Sequence, residues 1–311
     1  MTWPTREFGV SLSTVAVIIT QRPGLVLDAK YNSDEENHLP TMTLATVSEY
    51  DPSVVPERGE RAVVVGGSMA GLLAARVLID GYDRVVILER DPMPDESVAR
   101  RGVPQANHVH VMLEPARVIL NDLFSGYQEA LCADGAVVLD AGSDLQYYDQ
   151  GDVLADTDSE LPMPCASRPL FESVARWHAF ETSGLRIRSE CHFLDYLADD
   201  AGTAVTGVRF RNEDGETETL DANLVVDATG RTSRTHRWVA DHGYPTPSVD
   251  HVTVDLAYST VVLERPADDT RAYLCAPAAP DSKGGTVVPI ENDELLVTLF
   301  GMHGDHPPTD R

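Results

Sequence analysis

Residues 66–71 read GGSMAG: Gly66, Gly67, Ser68, Met69, Ala70 and Gly71. Small residues at this spacing suit one task, bending a backbone sharply so that it meets a phosphate group closely with the first amides of a helix. Gly66 would supply the bend and Gly71 the close packing of helix on strand. Ser68 stands where the dinucleotide fingerprint has its second glycine; serine is small, and its hydroxyl could add a hydrogen bond to phosphate. Glu89, at the end of the next apolar run, lies where a carboxylate can accept bonds from ribose hydroxyls, and an acid there argues against a 2′-phosphate. The implied chemistry is binding of a dinucleotide by its pyrophosphate and ribose.

Other chemistry-bearing residues form no comparable set. His108 and His110, and likewise His303 and His306, are pairs without a third ligand of suitable spacing, so no metal site is expected. Cys132, Cys165, Cys191 and Cys275 stand far apart with no CxxC, as buried reduced thiols of a cytoplasmic protein would.

A turn of this kind needs a strand before it and a helix after it. RAVVV, from Arg61, is a continuous apolar run of the sort buried on both faces of a sheet. LLAARVLIDG has helical spacing and ends at Gly81, and DRVVILE is a second buried strand. Together they predict a βαβ unit with a parallel sheet. Downstream, Ala136 to Leu154 reads as a hairpin, RPLFESVARWHAFE as an amphipathic helix, and residues 204–230 as a hairpin about Asp214-Gly215 followed by another apolar strand. After Pro245, HVTVDLAYSTVVLE, GGTVVPI and ELLVTLFGM alternate like antiparallel strands. The expected fold is α/β, a Rossmann-like parallel sheet interleaved with an antiparallel sheet. Residues 1–57 read as an irregular extension, 58–135 and 156–246 as a discontinuous nucleotide-binding domain, and 136–155 with 247–311 as the antiparallel domain.

Among 311 residues, 50 are acidic and 24 basic, a formal net charge of -26, and the only lysines are Lys30 and Lys283. Nucleic acid, which needs a basic footprint, is excluded as a partner. A dispersed carboxylate surface points to a high-salt, halophilic setting where screening makes self-repulsion tolerable. The apolar stretch Val10 to Ile19 is too short to span a bilayer and is read as neither signal peptide nor anchor, so no integral membrane segment is expected.

Five stretches occur in the order VVVGGSMAGLLAARVL, VVILERD, RRGVPQANHVHVML, ASRPLFE and VVDATGRTSRTHRW. Together they resemble the flavin-dependent monooxygenases of the para-hydroxybenzoate hydroxylase type, and within these a polyether epoxidase-like branch that shares its fold with geranylgeranyl reductases. The resemblance runs over residues 58–311 and includes the GGSxAG form of the turn. It implies FAD as cofactor and NAD(P)H as electron donor. Glu89 and Arg90 would meet the adenosine; the arginine of RRGVPQ, taken as Arg101, would lie along the ribityl and phosphate region with Gln105 nearby. Arg168 would contact FAD from a helix start, and Asp227 to Gly230 would close over the cofactor.

The implied reaction is oxygen transfer to an aromatic ring or alkene of a small apolar substrate, with the flavin carrying the chemistry and no protein acid or nucleophile required. Saturation of isoprenoid double bonds is a second reading, and a nucleotide-binding module without activity a third. The family's Gly-Asp motif and its helix lie beyond the antiparallel sheet. Gly304-Asp305 is followed here by HPPTDR without that helix, so the sequence is expected to be a truncated fragment.

Overall fold

The structure, a computed structural model, describes residues 17–20 and 49–308 other than 251 and 253. A strand at Val17–Thr20 (β1) precedes Gly59–Val65 (β2), the helix Met69–Leu78 (α1) and Tyr82–Leu88 (β3). Helices Glu114–Leu123 (α2) and Tyr127–Ala133 (α3) follow, then short strands Val137–Asp140 (β4), Leu145–Asp149 (β5), Asp152–Val153 (β6) and Pro162–Cys165 (β7). Helix Arg168–Glu181 (α4) leads to Leu185–Arg188 (β8), a meander of His192–Ala198 (β9), Val205–Arg211 (β10) and Thr217–Asp221 (β11), and then Leu224–Asp227 (β12). Helix Thr235–Asp241 (α5) and strands Leu256–Glu264 (β13), Ala272–Cys275 (β14), Lys283–Ile290 (β15) and Glu294–Met302 (β16) complete the described chain.

The expected βαβ unit is present. β12, β2, β3 and β8 run parallel, and β1 is added antiparallel beyond β12. Continuous apolar runs are explained by burial of both faces of this sheet. Alternate side chains go to opposite layers. Ala62, Val64, Val85 and Ile87 pack with Leu72, Tyr127, Leu170 and Val174 under the helices. Val63, Val65, Leu88 and Val225 pack with Val208, Phe210 and Trp238 under the meander and α5. Full burial of each such side chain contributes about 1.5–3 kcal/mol, so the sheet is held from both sides.

The second body is a six-stranded sheet in the order β13-β16-β15-β14-β5-β6, antiparallel except where β5 joins β14. The hairpin about Asp214-Gly215 forms as β10 and β11, with Gly215 at φ 82°. Residues 136–154 depart from the expected single hairpin. β4 pairs with β7, while β5 turns at Gln150 and Gly151 to pair with β6. The cause is Asp140, whose carboxylate accepts from the Gly142 and Ser143 amides and from the Ser159 hydroxyl and Leu161 amide. That bond set ties the end of β4 to the segment preceding β7. The extension expected to be irregular contributes β1, while the rest of residues 1–48, including most of Val10 to Ile19, lies outside the described residues. Among the described residues no helix is long and apolar enough to cross a membrane.

Register aligns Asp227, Val65, Leu88 and Arg188 along one edge of the parallel sheet. The glycine turn, Glu89 and the DATG segment therefore leave the sheet side by side at its carboxyl edge, the usual ligand crevice of parallel α/β sheets. At that edge a Cβ on Gly71 would lie 1.8 Å from the Gly66 carbonyl oxygen. Gly71→Ala should thus lower stability by about 1–3 kcal/mol, read as a lower urea midpoint. A change below about 0.5 kcal/mol, the usual scale of a surface substitution, would contradict the close approach.

Candidate functional site

The strand-to-helix turn begins at Gly66, with φ +103°, a value that also brings its Cβ position within 2.7 Å of the Ala228 carbonyl oxygen. α1 then starts at Met69. The first amides of a helix have no intrahelical partner and carry its positive end, so this start attracts an anion.

Beside the turn lies a buried set of charges. Glu89 is 6% exposed; its carboxylate accepts from the Gly67 amide at 2.7 Å and the Asp91 amide at 2.8 Å. Arg100, 7% exposed, donates to Glu172 Oε1 from Nε at 2.9 Å and also from Nη2. Its Nη1 lies 3.4 Å from Glu89 and 3.7 Å from Asp91, outside good hydrogen-bond geometry. Arg168 donates from Nη2 to the Ser68 hydroxyl at 3.0 Å and pairs with Glu172 at 3.0 Å, and its Nη1 is buried without a partner. Arg168 thus keeps an unspent N–H group beside the helix N-terminus, while Arg100 Nη1 has only long ion-pair contacts.

Burial acts against every charge here. It works to lower the Arg100 pKa, but Glu172, Glu89 and Asp91 outweigh it and hold the value above that of free arginine. Burial likewise works to raise Glu172, and Arg168, the Ser68 hydroxyl and Arg100 overcome it and hold the carboxyl below its usual range. Arg176, one turn beyond Glu172 on α4, has less compensation, and burial pushes its value down. Arg168, Glu172 and Arg176 form a buried charged stripe on α4, while Trp177 and Phe180 on the same helix are over half exposed.

α4 is set from outside the parallel sheet. Ser167 caps it by accepting from the Leu170 amide, and Glu291, in the turn between β15 and β16, accepts from the Ser167 amide and hydroxyl. The six-stranded sheet therefore fixes where the α4 start, and Arg168 with it, meets the glycine turn.

Of the residues singled out in the sequence, the structure gathers Gly66, Gly67, Ser68, Met69, Ala70, Gly71, Glu89 and Arg168 around one point. Arg90 follows Glu89 but points outward, its side chain 51% exposed. Arg101 and Gln105 are at the surface, and the buried arginine of RRGVPQ is Arg100. The loop turns there because the Gly102 amide donates to Asp91 at 2.6 Å and the Val103 amide to the Arg100 carbonyl at 3.1 Å, leaving residue 101 outside. Asp227 is buried, but Thr229, Ser233, Thr235 and Tyr196 fill its carboxylate, so it organises the DATG loop and presents no free oxygen edge. Gly230 lies exposed at φ +67°.

Arg100 and Glu172 escape sequence reading. The one local signal for Glu172 is its spacing of four from Arg168. His110 Nδ1 lies 3.0 Å from the His108 carbonyl oxygen, and burial, with Arg168 nearby, holds its pKa below the usual value, while His108 Nδ1 lies 2.8 Å from the Thr260 hydroxyl on β13. Cys165 and Cys191 are buried, whereas Cys132 and Cys275 are exposed, contrary to expectation, because they sit on outward positions of α3 and the end of β14. Asp305 sits at the end of the six-stranded sheet, taken up by the Ser282 hydroxyl and Lys283 Nζ, each at 2.8 Å.

A family model described as an FAD binding domain matches residues 60–310, and the chain belongs to that family. Protein Rv3254 of Mycobacterium tuberculosis (strain ATCC 25618 / H37Rv) is 29% identical over 267 residues, which cover 80% of this chain and 55% of that protein. The fold is similar to that of pqsL, a probable FAD-dependent monooxygenase from Pseudomonas aeruginosa, with TM-score 0.53, 16% identity and coverage of 78% of this chain and 61% of the other. It is also similar to p-nitrophenol 4-monooxygenase PnpA from Pseudomonas putida DLL-E4, with TM-score 0.54, 19% identity and coverage of 81% and 60%. The chain thus spans a little over half the length of the curated relative. The residues fit the family's cofactor: a glycine turn without room for side chains, a helix start and the unspent Arg168 Nη1 suit a pyrophosphate.

The buried carboxylates set the acid response. Burial raises the Asp227 pKa, but hydrogen bonds from Thr229, Thr235 and Ser233 outweigh it and hold the carboxyl below its usual value. Its native form therefore resists protonation, and its contribution is complete above about pH 4, the unfolded aspartate value, and lost as pH falls further. Asp227→Asn should cost about 1–3 kcal/mol at pH 7 and less near pH 3, followed by urea unfolding across pH. A loss that is the same at both pH values would contradict this assignment.

Proposed function

We propose that this chain is the FAD-binding portion of a flavin-dependent monooxygenase that uses NAD(P)H. The observation that carries the reading is the buried Nη1 of Arg168, without a partner beside the α1 start, next to Arg100, whose Nη1 makes only long ion-pair contacts to Glu89 and Asp91. Bound FAD supplies two-electron redox and oxygen chemistry; the protein binds, orients and shields it. In this reading Glu89 accepts ribose hydroxyls, Arg90 flanks the adenosine, and the Met69, Ala70 and Gly71 amides with Arg100 and Arg168 neutralise the pyrophosphate. Asp227 holds the loop through Gly230 in shape over the cofactor. Arg101 and Gln105 lie at the rim.

Fold likeness to the two Pseudomonas proteins supports oxygenase chemistry, and the order of the five motifs supports the polyether epoxidase-like branch. The buried side of the six-stranded sheet, with Leu296, Val288 and Thr298, supports a small, largely apolar substrate. The net charge of -26 supports work at high salt.

The test starts with purified protein in high salt titrated with FAD and followed by its visible spectrum. Arg100→Lys, which keeps the charge and loses the fork, should weaken FAD binding by about tenfold or more, the scale of one charged hydrogen bond. Arg101→Ala should change it by less than about threefold, as for an exposed contact. The reverse order would give the cofactor role to Arg101. With FAD bound, NAD(P)H consumption that requires oxygen and yields an oxygenated product is expected. Equal consumption without oxygen, with a saturated product, would replace oxygenation by double-bond reduction.

A further inference from the structure

Ser68 occupies the N-cap position of α1, where a serine hydroxyl ordinarily accepts from the amide two or three residues on. It makes no such bond here. Its Oγ donates to Glu172 Oε2 at 2.6 Å and accepts from Arg168 Nη2 at 3.0 Å. A serine that capped its own helix would consume an Ala70 or Gly71 amide, the groups an incoming anion needs. The side chain able to prevent this is on another element, since Glu172 belongs to α4.

We propose that Glu172 is a positioning residue that draws the Ser68 hydroxyl away from the α1 amides and keeps the helix start open to an anion. A second observation points to the same ligand: Arg168, 7% exposed, keeps a buried Nη1 without a partner while Glu172 engages its Nη2. Glu172 therefore takes one side of the Arg168 guanidinium and leaves the other for the ligand. Serine at position 68 is compatible with the turn because a carboxylate is buried beside it. The identity of the anion as the FAD pyrophosphate rests on the proposed function; the diversion of the hydroxyl does not.

The test separates the two. In protein without added nucleotide, amide hydrogen exchange is measured at Ala70 and Gly71. Glu172→Ala should release the hydroxyl to cap α1 and slow one of these amides by about fivefold, the effect of one ordinary cap. Adding Ser68→Ala to that variant should restore the fast exchange. Glu172→Gln keeps the side-chain volume and one acceptor oxygen, so it guards against misfolding and should fall between wild type and Glu172→Ala. FAD affinity should drop by about ten- to a hundredfold in Glu172→Ala, the range for losing a charged hydrogen bond, and recover in part in the double variant, a rescue that general loosening would not produce.

Unchanged exchange at both amides in Glu172→Ala and Glu172→Gln overturns the inference even if FAD binds. The expected exchange pattern in a protein that takes up no FAD supports the positioning role and overturns the cofactor reading.

Discussion

The contact between the Gly66 carbonyl and Gly71, closer than any side chain allows, sets the geometry of everything around it. It lets α1 begin directly above the end of β2, so that the helix start opens at the carboxyl edge of the parallel sheet. Glu89, at the end of β3, reaches the turn only because of that proximity, through the Gly67 amide. The DATG segment is bound to the same spot from the other side, where the Ala228 amide donates to the Val65 carbonyl at 2.8 Å. Loss of the glycine contact would separate three segments that are far apart in sequence.

Around this turn the protein buries ions that water would solvate better. Removing a charge from water costs several kcal/mol even after relaxation, and pairing offsets that only with good geometry. Glu172 offers such geometry to Arg100 and Arg168, yet Arg168 Nη1 stays without a partner and Arg100 Nη1 makes only long ion-pair contacts. A network built for stability alone would not leave donors idle in the interior, whereas one built to receive an anion would. The overall charge has the opposite sign: a net -26 repels polyanions at long range, while short-range donors line one crevice.

The six-stranded sheet also helps to position the site. Glu291, in its β15–β16 turn, holds Ser167 at the start of α4, and His108 meets Thr260 on β13. The two sheets are tied through side chains that no local pattern connects. Asp140 likewise sends β4 to β7 and β5 to β14, where alternation alone suggested one hairpin.

By itself the sequence determined the parts governed by period and by backbone freedom. Apolar runs dictated strands covered on both faces, the glycines dictated the turn, and Asp214-Gly215 dictated a hairpin, because these depend on neighbours a few residues apart. It also named most of the residues that meet at the turn. Tertiary structure alone decided which charges are buried. Arg100 and Arg101 are indistinguishable in RRGVPQ, and only the turn made with Asp91 puts the first inside. The charged stripe of α4 is buried beside its apolar residues Leu170, Phe171 and Val174, while Trp177 and Phe180 face out, so polarity alone does not sort the helix. The physical reason is that a charge goes inward only where other elements supply its counter-charge and hydrogen bonds, and Glu172 has Arg100 and the Ser68 hydroxyl donor from elsewhere in the chain as well as Arg168 on its own helix.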